Sequence, residues 1–169
     1  MTGKEENMEE IVIPTKLMYD NAKLPSKKFP DDAGSDGYVC KFSKIGTNRN
    51  LIPYHDAIIG LRPFERVACH LGISTEIPDG FFCDVRPRSG LALFEGLTIL
   101  NTPGTIDTGY RGEWIAIVIN LSRKQVKIEI GDRICQVVLQ KKYPYKFVDK
   151  KEISKSERGK GGFGSTGKQ

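Results

Sequence analysis

Several things are scarce in this chain, and each scarcity excludes a class. No run of about 18 consecutive apolar residues occurs, so a membrane-spanning helix is not expected. The opening MTGKEENMEE is acidic and polar, without a signal peptide's apolar stretch or the arginine-rich pattern of transit segments. An intracellular protein, cytoplasmic and/or nuclear in a eukaryote, is therefore expected. Only four cysteines are present, Cys40, Cys69, Cys83 and Cys135, all in or beside apolar stretches and none in C-x-x-C spacing. They read as reduced core residues rather than disulfides. Two histidines, far from any cysteine pair, argue against structural zinc. Long amphipathic helices are missing too; the one short helical candidate is SGLALFE (89–95).

What remains is alternation. QVKIEI (125–130) places Val126, Ile128 and Ile130 on one face and Lys127 and Glu129 on the other. WIAIVI (114–119) and ICQVVL (134–139) are β-branched runs suited to buried strands, and 11–19, 66–73 and 81–85 also read as strands. Pro and Gly punctuate nearly every gap. Many short strands with frequent turns predict an all-β sandwich or barrel. At 169 residues the chain is expected to form one domain over 1–149, with 1–10 flexible. Residues 44–62 look like a loop excursion. From about residue 150 large apolar residues become rare, predicting a flexible C-terminal arm over 150–169. Nine of the 26 basic residues fall in the last 29 positions, which suits nucleic acid, a highly charged small molecule, or simple solvation.

Five stretches carry candidate chemistry. In AGSDGYVC (33–40), Asp36 between glycines is a turn residue or an exposed carboxylate able to hold a hydrated Mg²⁺. RPRSGLA (86–92) offers Arg88, Ser89 and Gly90 as an anion site, or as a capped turn with an exposed arginine. LNTPGTIDTGYRGEW (100–114) puts Asp107 beside Ile106 and Tyr110, fit for a general base against an aromatic wall or for a decorated hairpin. GDRICQVV (131–138) holds Gln136 inside an apolar strand, either a satisfied core amide or a group facing a polar ligand. The tail RGKGGFGSTGKQ (158–169) is nearly a P-loop, but Lys168 is followed by Gln169 where Ser or Thr is needed, without the strand–helix frame.

In order, these stretches resemble the five motifs of the trimeric dUTPases: A-G-x-D, R-S-G-x-A, G-x-I-D-x-x-Y-R-G-E, G-D-R-x-x-Q and R-G-x-G-G-F-G-S-T-G. The likeness spans about 11–167. It implies a distorted jelly-roll-like β-barrel, homotrimeric, with a C-terminal arm completing a neighbouring subunit's site. It further implies Mg²⁺-dependent hydrolysis of dUTP to dUMP and pyrophosphate, keeping uracil out of DNA and supplying dUMP for thymidylate synthesis, with no membrane and no nucleic acid required. Asp107 would prime the water that attacks the α-phosphorus. Tyr110 would pack on deoxyribose and exclude a 2′-hydroxyl. Asn101 and the backbone of Gly104, Thr105 and Ile106 would read uracil. Arg88, Ser89, Gly90 and Gln136 would hold phosphates, and Asp36 would hold the metal through water. From the arm, Phe163 would stack on uracil while Arg158, Gly164, Ser165 and Thr166 meet the γ-phosphate.

The resemblance has departures: Gly37 where the family usually has leucine, Gly109 where many members carry an acid, and the 44–62 excursion. The dCTP deaminases share the expected fold and an I-D-x-G-aromatic hairpin, but their glutamate falls at Ile117, three residues before Asn120, which leaves no proton shuttle. A regulator that has lost catalysis would tolerate decay of the third or fifth motif, and both are intact.

Overall fold

The computed structural model describes residues 10–162, and they build a nearly all-β protomer. The strands are β1 (Thr15–Leu17), β2 (Ser35–Tyr38), β3 (Lys41–Ile45), β4 (Leu51–Tyr54), β5 (Ile58–Leu61), β6 (Arg66–His70), β7 (Ile73–Thr75), β8 (Phe81–Pro87), β9 (Leu97–Ile99), β10 (Gly104–Ile106), β11 (Ile115–Asn120), β12 (Val126–Glu129) and β13 (Arg133–Lys141). A π-helical turn, Leu91–Glu95, sits between β8 and β9, where the short helical candidate was expected. No helix among the described residues is long and apolar enough to cross a membrane.

Two sheets dominate, ordered β10-β8-β13-β2 and β4-β3-β6-β11-β9, with two-stranded ribbons β1-β7 and β12-β5 beside them. Every pairing is antiparallel. The sequence pattern accounts for this. In β12, Val126 and Ile128 are buried while Lys127 and Glu129 are exposed, the period-two signature of a half-covered strand. The inward residues join one core around Trp114, Phe42, Leu71, Ile99, Ile128 and Val118. Each such aliphatic side chain contributes about 1.5–3 kcal/mol on burial.

The four cysteines are free and buried in this core. Burial foremost pushes the thiols of Cys40 and Cys83 up to about 11 and that of Cys135 up to about 12. Protonated at neutral pH, they behave as small apolar side chains.

Three expectations need correction. Residues 44–62 are not a loop: they complete β3, turn through 46–50, and form β4 and β5. Pro53 obscured this, but β4 is a sheet edge, where a missing N–H is tolerated. The 66–73 run breaks into β6 and β7 at Gly72, whose φ of +66° suits glycine. Only Thr15–Leu17 of 11–19 is strand.

Gly37 is explained by packing. A Cβ there would lie 2.7 Å from the Cys135 Sγ and 3.3 Å from a Leu71 methyl, so a larger residue needs a different interior. Gly109 faces open space, so an acid would fit there without moving its neighbours.

Ile128 is 1% exposed. Ile128→Ala is expected to destabilise the fold by about 2–5 kcal/mol, read as a lower denaturant midpoint; an unchanged midpoint would remove it from the core.

Candidate active site

Two clusters form at opposite ends of β8. At its C-terminal end, Asp36 of β2, Gln136 of β13 and Arg86 of β8 stand in one cross-strand row. Cross-strand partners share a face, so the three side chains project together. Asp36 is neither in a turn nor exposed, as the sequence suggested; it lies within β2 at 7% exposure. One of its oxygens accepts from Arg88 Nε at 2.9 Å, the other from Arg133 Nη1 at 3.0 Å. Arg88 Nη1 also donates to the Arg133 carbonyl at 3.0 Å. Two guanidinium groups thus share one carboxylate, leaving local positive charge and an Arg88 Nη2 outside these bonds.

Arg88 leads into Ser89 and Gly90, both exposed, at the start of the π-helical turn. Gly90 has ordinary right-handed helical angles, and a Cβ there would meet nothing within 4 Å, so its bare surface leaves room for an approaching group. Beside it, Asp84 and Arg86 pair at 2.7 Å.

At the other end, β9 and β10 do not make the expected hairpin: β9 pairs with β11 and β10 with β8, so the connection between them crosses from one sheet to the other. Gly104 is buried, and a Cβ there would come within 3.1 Å of the Asn101 amide nitrogen. After β10 the chain turns through 107–110, closed by the Tyr110 N–H donating to the Asp107 carbonyl at 3.0 Å. Arg111 Nη1 braces this turn by donating to the carbonyls of Thr108 and Tyr110 at 2.7 and 3.1 Å. Asp107, Tyr110, Thr105, Ile106, Glu113 and Ile115 line a recess of about 220 Å³. The predicted base and the predicted sugar platform therefore meet.

Sequence reasoning missed what supports them. The Tyr110 hydroxyl donates to the Glu113 carbonyl at 3.1 Å. The Glu113 carboxylate is anchored by His70 Nδ1 at 2.8 Å and the Tyr19 hydroxyl at 3.3 Å, with His70 Nε2 on Ser43 Oγ at 2.9 Å. Gly112 lets the ring lie flat: a Cβ there would fall within 2.6 Å of the ring carbon bearing the hydroxyl. Arg133 was legible only as a turn residue, although its place beside Asp132 and three residues before Gln136 put it on the same sheet as Asp36. The deaminase reading gains nothing, since Ile117 is an aliphatic member of β11 and Asn120, fully buried, bonds the backbone at Leu61 and Lys124.

Arg158 is exposed in a small turn, donating through Nε to the Gly161 carbonyl at 3.0 Å. Phe163, Gly164, Ser165 and Thr166 lie outside the described residues. Among the described residues no group of three or more His, Cys, Asp or Glu is placed to hold a metal.

Antiparallel sheets of this order, with almost no helix, define an all-β, jelly-roll-like class of protein. Comparison narrows the class. The dUTPase family model matches residues 20–167. A deoxyuridine 5′-triphosphate nucleotidohydrolase of Hydrogenobaculum sp. is 46% identical over 145 residues, covering 86% of this chain and 98% of the relative. Another of that name, from Clostridium tetani, is 42% identical over 161 residues, covering 95% and 100%. Among solved structures, the Staphylococcus bacteriophage 80alpha dUTPase with dUpNHpp matches at a TM-score of 0.75 and 24% identity, covering 92% of this chain and 98% of that one. The chain belongs to the dUTPase family.

Gly112→Ala is expected to keep the fold but swing Tyr110 out of place, raising KM for the nucleotide well above its effect on the thermal midpoint. An unchanged KM would show that the ring does not need the open glycine face.

Proposed function

We propose that this chain hydrolyses dUTP to dUMP and pyrophosphate in sites pooled from three copies. Family membership and relatives of 42–46% identity support the activity. The observation that carries the shared site is a length. Ile106 stands opposite Cys83, so Asp107 is level with Phe82, while Arg88 follows the far end of β8. At about 3.3 Å per residue, the two clusters are about 20 Å apart. A base that primes attack on the α-phosphorus cannot work on phosphates held that far away in its own protomer. A second copy must bring its Arg88 cluster to the first copy's recess, and the arm of a third would close the site.

In this arrangement Asp107 orients and deprotonates water. Tyr110, fixed by its bond to the Glu113 carbonyl, packs on deoxyribose and leaves no room for a 2′-hydroxyl. Asn101 and the backbone of Gly104, Thr105 and Ile106 read uracil; cytosine would set donor against donor. Arg88, Ser89, Gly90 and Gln136 bind the triphosphate, and Arg158, Phe163, Gly164, Ser165 and Thr166 cover it.

The donor set fits Mg²⁺ in one manner only. With both Asp36 oxygens bonded to arginines, the ion would keep its water shell, rest mainly on substrate phosphates, and meet Asp36 through water. A dUTPase from phage phi11 of S. aureus coordinates a structural Mg(II) ion. When bound, the ion supplies charge neutralisation and polarises the phosphoryl group.

Asp107→Asn should lower kcat by about 10²–10⁴-fold while dUTP still binds, measured by pyrophosphate release; wild-type turnover would strip Asp107 of its role. Sharing has its own test. Asp107→Asn and Arg88→Ala, each inactive alone, should recover activity when unfolded and refolded together, because mixed trimers contain sites with both native residues. No recovery, with mixed trimers demonstrated, would place each site within one protomer.

A further inference from the structure

A recess of about 560 Å³ shares no lining residue with either cluster. Its walls are the β3–β4 excursion, the edge of β5 and the loop joining β5 to β6. The proposed dUTP chemistry makes no use of it.

Phe64, in that loop, is the unusual feature. Its φ is +64°, a conformation bulky side chains rarely adopt, yet the residue is 73% exposed. No core packing rewards this arrangement. The backbone instead enforces it: Phe64 N–H donates to the Asn120 carbonyl at 2.7 Å, and Asn120 N–H donates to the Glu65 carbonyl at 3.0 Å. Asn120 is fully buried, and its amide also holds the Leu61 carbonyl at 2.9 Å. The loop is riveted at both ends so that an aromatic face stands in solvent. Non-glycine strain of this kind concentrates at binding sites.

Charge around the ring is mainly positive. Lys44, Arg62 and Arg66 line the recess, all exposed. The acid in its lining, Glu65, is occupied by the Arg62 side chain at 3.2 Å and the Arg62 N–H at 2.7 Å. Arg66 stands outside the ion pairs formed among the described residues. Lys44 lies over the Tyr54 ring at 4.5 Å, which holds its stem along the excursion. An exposed, pre-set aromatic face within an open cationic groove is the combination that stacks a base and follows a phosphate backbone.

We propose that this groove binds single-stranded nucleic acid, with Phe64 stacking on a base and Lys44, Arg62 and Arg66 meeting phosphates. The observations favour this over an acidic protein segment because the exposed ring is single and flat and its flanks are cationic. A protein-binding centre would instead be a packed apolar patch with charge depleted.

The test uses the full-length assembled enzyme and a labelled oligodeoxyadenylate, which offers no uracil to the Asp107 recess, followed by fluorescence anisotropy. Binding is expected below about 100 µM at low salt, weakening as salt rises from about 50 to 200 mM. Phe64→Gly removes the ring and accepts the positive φ without strain, so the fold survives the change. It should weaken binding about tenfold, as should Arg66→Glu, while dUTP turnover stays at the wild-type rate. Four results would overturn the proposal: no binding; equal binding by both variants, which would move it to the basic arm; displacement by dUMP, which would move it to the Asp107 recess; or equally tight binding of a poly-glutamate peptide, which would make the groove a site for acidic protein.

Discussion

The extended length of β8 is the constraint on which the rest depends. An antiparallel strand held between β10 and β13 cannot shorten, because its rise per residue is fixed by the ladder on both sides. Whatever sits at Phe82 and whatever sits at Arg88 must therefore stay about 20 Å apart. The sheet keeps recess and anion cluster apart within a protomer, and the proposed pooling between copies rests on that rigidity. The same rigidity serves positioning. Groups carried at strand ends and short hairpins are held more exactly than groups on long loops, and misplacement by an ångström at a reacting centre is costly.

How much of this was legible in the sequence depended on the range of the interaction. β12 was readable because alternation is a local signal, fixed by the pleat, and β13 because a continuous β-branched run is local too. So was the Asp107–Tyr110 turn, since its closing bonds join residues three apart. Long-range partners were not readable. Arg133 meets Asp36 across 97 positions, and Glu113 meets His70 across 43. Nothing near either residue announces the other. The 44–62 segment was misread for another reason: Pro53 normally argues against a strand, and only the edge position of β4 permits it. Gly37 and Gly112 carry a third lesson. Each is needed not for an unusual φ but because a neighbour, Cys135 or Tyr110, occupies the space a Cβ would fill, and a sequence does not show its neighbours.

The arginine cluster shows what a carboxylate would do in the proposed phosphate site. Two unpaired guanidinium groups side by side would repel and splay, and ordering them at the moment of binding would cost side-chain entropy. Asp36 holds both from a strand, within hydrogen-bond distance, before any ligand arrives. The cost is one unit of positive charge, and the pair still exceeds the carboxylate by one. An isolated arginine pair would attract phosphate more strongly but less selectively in direction. Neutralising one charge to fix the other's geometry exchanges raw attraction for alignment, and alignment is what in-line attack at phosphorus requires. Tyr110 follows the same logic through a backbone carbonyl whose own side chain is tied to His70 and Tyr19. Both clusters thus carry pre-set groups, so in the proposed shared site the energy of nucleotide binding would go to joining the halves rather than to ordering either one.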